Sequence, residues 1–105
     1  MDGEKAIRWR AGDEVLRFSP GEVTPQLERE LWQAAKVTPM DAMQALAGGA
    51  VFGLAAITWL ARRQAGVRQQ YATVEAEVAK AAREPGFEVE MLDDDVEGGD
   101  DGPPA

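Results

Sequence analysis

The residues able to do chemistry in this chain are few, and most of them are acids. Among its 105 residues there is no histidine and no cysteine. That removes histidine general bases, thiol nucleophiles, disulfides and the usual zinc ligand sets. Asp93, Asp95, Glu97 and Gly98 echo the opening of a calcium-binding EF-hand loop, with oxygen ligands at alternate positions and a glycine for the sharp turn. The position that must supply a bidentate glutamate is Pro104, however, and no helix can follow in the one residue left. Glu28, Glu30 and Asp41 could be assembled into a carboxylate pair, but no pattern places two of them in an apolar pocket that would separate their pKa values. Gly48-Gly49 lacks the lysine and hydroxyl of a phosphate-binding loop. The sequence reads as no enzyme, with no metal and no cofactor.

The charge is sorted along the chain. Of nineteen acids, eight lie between Glu88 and Asp101 with no base among them; the remaining eleven are balanced by all eleven bases in residues 1–87. The body is neutral, and the tail carries the whole net charge of −8. Arg62, Arg63 and Arg68 could form a local basic patch, but no basic face of the kind that holds nucleic acid is present. The N-terminal MDGEKAIRWR has no apolar secretory core, which implies a cytoplasmic protein.

The elements that must position these side chains are legible from pattern. Ile7 and Trp9 alternate with Arg8 and Arg10, Ala11-Gly12-Asp13-Glu14 offers turn chemistry, and Val15-Leu16-Arg17-Phe18 returns: a β-hairpin over about residues 4–19. Ser19-Pro20, Thr24-Pro25 and Thr38-Pro39 each read as a hydroxyl N-cap followed by a proline in the first helical turn. Glu22 and Asp41, three residues after Ser19 and Thr38, complete capping-box patterns. Helices are expected from Pro25 to Lys36, from Pro39 to Ala47 and from about Ala50 to Ala65, with Gly48-Gly49 ending or kinking the second. The third is apolar nearly all round and must be surrounded; Arg62 and Arg63 suit its C-terminal dipole, and Gly66 its left-handed closing residue. Val67, Tyr71, Val74, Val78 and Ala81 make the stripe of a fourth helix, too short for an independent coiled coil and suited to docking within one domain. Pro85-Gly86 stops it, and residues 88–105 read as a disordered acidic tail.

The apolar run Ala45–Ala61, bounded by Gln44 and Arg62, has a second reading as a single membrane span. It holds seventeen residues, six of them Leu, Ile, Val or Phe, against the roughly twenty predominantly apolar residues that a span requires. That reading is the weaker one.

From Leu16 onward the chain resembles the tail assembly chaperones of long-tailed bacteriophages, in particular the small forms of actinobacterial phages. The likeness follows the order Leu27-Glu28-Arg29-Glu30-Leu31, then Val37-Thr38-Pro39-Met40-Asp41, then Leu54 to Gly66, then Phe87-Glu88-Val89-Glu90, and is most specific in Trp59-Leu60-Ala61-Arg62-Arg63 with Gly66. Val67 to Glu84 departs from it by inserting an extra helix. The resemblance implies a protein of the host cytoplasm that binds the hydrophobic, helical tape measure protein, keeps it soluble and helps recruit tail tube subunits, with self-association possible. An apolar surface on a neutral body with a charged tail fits such work. The expectation is a mainly α domain over residues 1–87, an N-terminal hairpin followed by about four helices, and a tail over 88–105. Trp32, Phe52, Trp59, Leu60, Arg62 and Arg63 are the candidate partner-binding residues. The alternatives are a small virion structural or head–tail connector protein and the single-pass membrane protein.

Overall fold

A computed structural model describes residues 6–92. Two antiparallel strands, β1 (Ile7–Ala11) and β2 (Glu14–Phe18), are joined by Gly12-Asp13, with Gly12 at φ +62° in the conformation a tight hairpin requires. A 3₁₀ turn at Pro20–Glu22 leads into four helices: α1 (Pro25–Ala35), α2 (Pro39–Ala47), α3 (Val51–Gln64) and α4 (Tyr71–Ala82). A third strand, β3 (Val89–Leu92), then returns to the hairpin and pairs antiparallel with β1, giving the sheet order β2-β1-β3. The expected hairpin and four-helix arrangement is present.

Two of the three cap signals form. Thr24 Oγ1 accepts from the Leu27 N–H at 3.1 Å, and Thr38 Oγ1 accepts from the Asp41 N–H at 3.1 Å while Asp41 accepts in return from the Thr38 N–H. Such caps are worth about 1 kcal/mol each. Ser19 behaves differently. Its side chain caps nothing, because the Glu22 N–H that it would cap bonds the Ser19 carbonyl at 3.0 Å instead; the Gln64 side-chain amide also takes the Ser19 N–H and C=O, at 2.9 Å each, which pins the end of the hairpin to the end of α3.

α3 is the axis of the fold. Every residue from Gly53 to Ala61 is buried. Trp9, Leu16 and Phe18 of the sheet, Leu27 and Leu31 of α1, Ala42 of α2, and Val74 and Val78 of α4 complete the core around it. Full burial of side chains such as Ile57 and Leu60 contributes roughly 1.5–3 kcal/mol each. Both helix ends close by the same device: the Ala50 N–H bonds to the Ala45 carbonyl beyond α2, and the Val67 N–H to the Arg62 carbonyl beyond α3, with Gly49 and Gly66 left-handed at φ +86° and +92°.

The structure corrects three expectations. α4 begins at Tyr71, not Val67, because Val67 donates its N–H to the cap of α3 and lies exposed. Residues 89–92 form a strand rather than the start of a tail, because their apolar residues pair across β1; the rest of the proposed tail, with the calcium-loop echo at Asp93–Gly98, lies outside the described residues. The possible span at Ala45–Ala61 is interrupted by the turn at residues 48–50, and among the described residues no helix is long and apolar enough to cross a membrane.

The close approach of α2 and α3 rests on Gly53. A Cβ there would lie 2.5 Å from the Leu46 nitrogen and 2.7 Å from the Ala45 Cβ, so Gly53→Ala must push the helices apart. The expected loss is about 1–3 kcal/mol in chemical denaturation, against the roughly 1 kcal/mol that alanine gains elsewhere in a helix interior. A gain in stability would contradict this packing.

Candidate protein-binding surface

The structure separates the six candidate residues into two groups. Trp59 and Leu60 are 4% and 0% exposed, and each points into the core. Trp59 also donates its indole N–H to the Gln69 carbonyl at 3.0 Å, meets Tyr71 edge-on at a centroid distance of 6.0 Å, and lies beneath the Arg63 guanidinium at 5.2 Å. Burial raises the Tyr71 pKa, with the nearby Glu75 charge adding to it. The expectation that Trp59 and Leu60 face a client is corrected: an all-apolar central helix leaves them no outward side.

Arg62 and Arg63 are likewise committed within the chain. Arg62 makes five hydrogen bonds, matching its five N–H donors: two to Glu77 at 2.9 and 3.0 Å, two to Glu14 at 2.7 and 3.3 Å, and one to Gln69 at 3.0 Å. It therefore ties β2, α3, the loop before α4 and α4 itself to one planar group. Its pKa is raised, through the hydrogen bonds to Glu77 first and Glu14 second, while the bond from Arg62 lowers that of Glu77. Arg63 bonds Glu30 of α1 at 2.6 Å and lowers that carboxyl's pKa. Neither arginine offers a free cation to a partner, and the basic patch anticipated with Arg68 is neutralised at two of its three members.

Trp32 and Phe52 are the two candidates that reach solvent, 50% and 49% exposed. Other large apolar side chains join them at the surface: Met40 on α2, Val51 beside Phe52 at the start of α3, and Val89 and Met91 on β3. A cavity of about 340 Å³ opens between the α2–α3 corner and β3, lined by Leu46, Val51, Leu54, Phe87 and Val89 among others. Val51, Val89 and Met91 are not among the sequence candidates. The alternation of Val89 and Met91 with acids is visible in the sequence, but the charge around it reads as a solvated tail. Among the described residues no group of acids is placed to hold a metal ion.

Comparisons of the chain with protein-family models, with curated proteins and with solved structures give no match. The functional reading rests on the residues themselves.

Arg62→Met is expected to cost about 1–2 kcal/mol at neutral pH, as charge-assisted bonds from a largely buried guanidinium to two half-exposed glutamates are lost. Glu77 has a folded pKa below its ordinary value, so its contribution is present above the usual glutamate range and lost as pH falls through the folded value. The stability gap between the wild-type chain and Arg62→Met should therefore narrow on acidification below about pH 4.5. Urea midpoints measured from pH 7 to pH 3 test this, and a gap that stays constant would contradict it.

Proposed function

We propose that this chain is a non-catalytic client-binding protein, a tail assembly chaperone of the long-tailed phage type, which holds apolar helical segments of a tape measure protein in the host cytoplasm. The observation that carries this reading is the half-exposure of Trp32 and Phe52 on a small body that buries its other two tryptophans. An exposed indole and an exposed phenyl ring bring large contact areas at low entropic cost, which is how a partner's apolar helix is gripped. The eight acids between Glu88 and Asp101 support the same reading, since a binder of apolar segments must itself stay dispersed and charge of one sign keeps it so. The client surface is assigned to Trp32 and Phe52, with Met40 and Val51 as further exposed apolar residues.

Co-expression with the tape measure protein tests this directly. Trp32→Ala and Phe52→Ala should each reduce client capture about tenfold or more while leaving the unfolding midpoint nearly unchanged. Trp59→Ala should instead lower the midpoint by the roughly 3–5 kcal/mol expected of an aromatic core truncation. Undiminished capture by the Trp32/Phe52 double variant, or stoichiometric retention of the protein in finished particles, would defeat the chaperone reading and favour a virion component.

A further inference from the structure

β3 is an edge strand. Its neighbour on one side is β1, and among the described residues nothing pairs with its other side. The register places Ala11 opposite Val89, Arg10 opposite Glu90 and Trp9 opposite Met91, and the Gly12 N–H donates to the Glu88 carbonyl at 3.1 Å. In an antiparallel ladder the bonded positions alternate, so the peptide groups of Glu88 and Glu90 point toward β1. Those of Val89 and Met91 consequently point away from the sheet, an open row of donors and acceptors.

The side chains of this edge are divided by face. Residues directly opposite one another share a face, so Met91 lies on the same side as buried Trp9, the side that the helices cover. The helical layer does not reach that far. Val89 and Met91 remain 39% and 58% exposed on a nominally interior face, and Val89 lines the cavity formed with Val51, Leu54 and Phe87. On the opposite face β3 contributes Glu88 and Glu90 at the edge, with Arg8, Arg10 and Arg17 of β1 and β2 beyond them; Glu90 meets Arg10 at 2.9 Å yet keeps 62% of its side chain exposed.

We propose that this edge docks an extended segment of a second protein in which apolar and basic residues alternate. Such a segment would add a fourth strand beside β3, taking its main-chain bonds from Val89 and Met91. Its residues opposite Val89 and Met91 would lie on the apolar face, that opposite Val89 at the cavity, and those opposite Glu88 and Glu90 would sit directly beside these two glutamates, where Lys or Arg is complementary as a cross-strand neighbour. The charge pattern selects this occupant over a second copy of the chain. Two β3 edges paired with each other would set Glu88 and Glu90 of both copies on one face, followed in sequence by Asp93-Asp94-Asp95. This surface shares Val51 with the proposed client surface but uses neither Trp32 nor Phe52, so the variants at Trp32 and Phe52 and those at Val89 and Met91 test the two independently.

The test uses the full chain and three capped octapeptides: alternating lysine and valine, alternating glutamate and valine, and the lysine–valine peptide N-methylated at alternate backbone amides. The expected result is saturable binding of the first alone, with the amide resonances of Val89 and Met91 shifted in NMR spectra. Met91→Pro removes an outward N–H without removing a bond to β1, a position where an edge strand tolerates proline. It should weaken binding at least tenfold while the other sheet resonances stay in place. Val89→Lys, which places a cation on the apolar face, gives a second reading and should weaken binding comparably. Equal binding of the N-methylated peptide, or binding that survives both variants, would reduce the effect to charge attraction and overturn the proposal. Concentration-dependent dimerisation that shifts the same two amides without peptide would overturn it in favour of self-association.

Discussion

A helix with no polar side cannot rest on a surface; it has to be enclosed. From Gly53 to Ala61, α3 offers nothing but apolar, small or buried side chains, and the placement of every other element follows from that requirement. The sheet supplies Trp9, Leu16 and Phe18, α1 supplies Leu27 and Leu31, α4 supplies Val74 and Val78, and α2 comes so close that only glycine fits at position 53. A two-stranded hairpin is marginal alone, as are helices of nine to fourteen residues. Each is stable here because α3 gives it an apolar partner.

Polar contacts then fix the geometry that burial leaves loose. Hydrophobic contact has no direction, whereas a guanidinium with five aligned donors does. Arg62 holds Glu14 and Glu77 on elements far apart in sequence, Arg63 holds Glu30, and the Gln64 amide holds Ser19 by both its backbone groups. Three consecutive residues at the C-terminus of α3 thus secure the hairpin, α1 and α4. The stretch Trp59-Leu60-Ala61-Arg62-Arg63 with Gly66 is at once the most distinctive part of the sequence and the place where the fold is fastened. Its residues are committed to the chain itself, so any partner must be met elsewhere.

The caps and breakers were legible because they act within a few residues. Thr24-Pro25 and Thr38-Pro39 open α1 and α2 where expected, and Gly49 and Gly66 close α2 and α3, since an N-cap bond or a left-handed residue requires no distant partner. Ser19 shows the limit of that logic. Its local pattern matches a capping box, but the Glu22 N–H bonds the Ser19 carbonyl rather than its hydroxyl, and Gln64, forty-five residues away, takes the Ser19 N–H that the Glu22 side chain would have accepted. β3 shows the same limit from the other side: four residues among acids have too little periodicity to announce a strand, and only β1, some eighty residues earlier in the chain, makes them one.

The sequence by itself determined that the domain would be mainly helical with an N-terminal hairpin, where most helices start and stop, and that one helix must be central. Those properties depend on residue type and short-range spacing. Which aromatic residues face outward was decided by tertiary structure alone. Trp32 and Trp59 are chemically the same and both lie on helices, but α3 is enclosed and α1 is docked along one face, so one indole became core and the other surface. The open edge at Val89 and Met91 was decided in the same way, because an edge exists only after strands have paired and the helices covering them have run out.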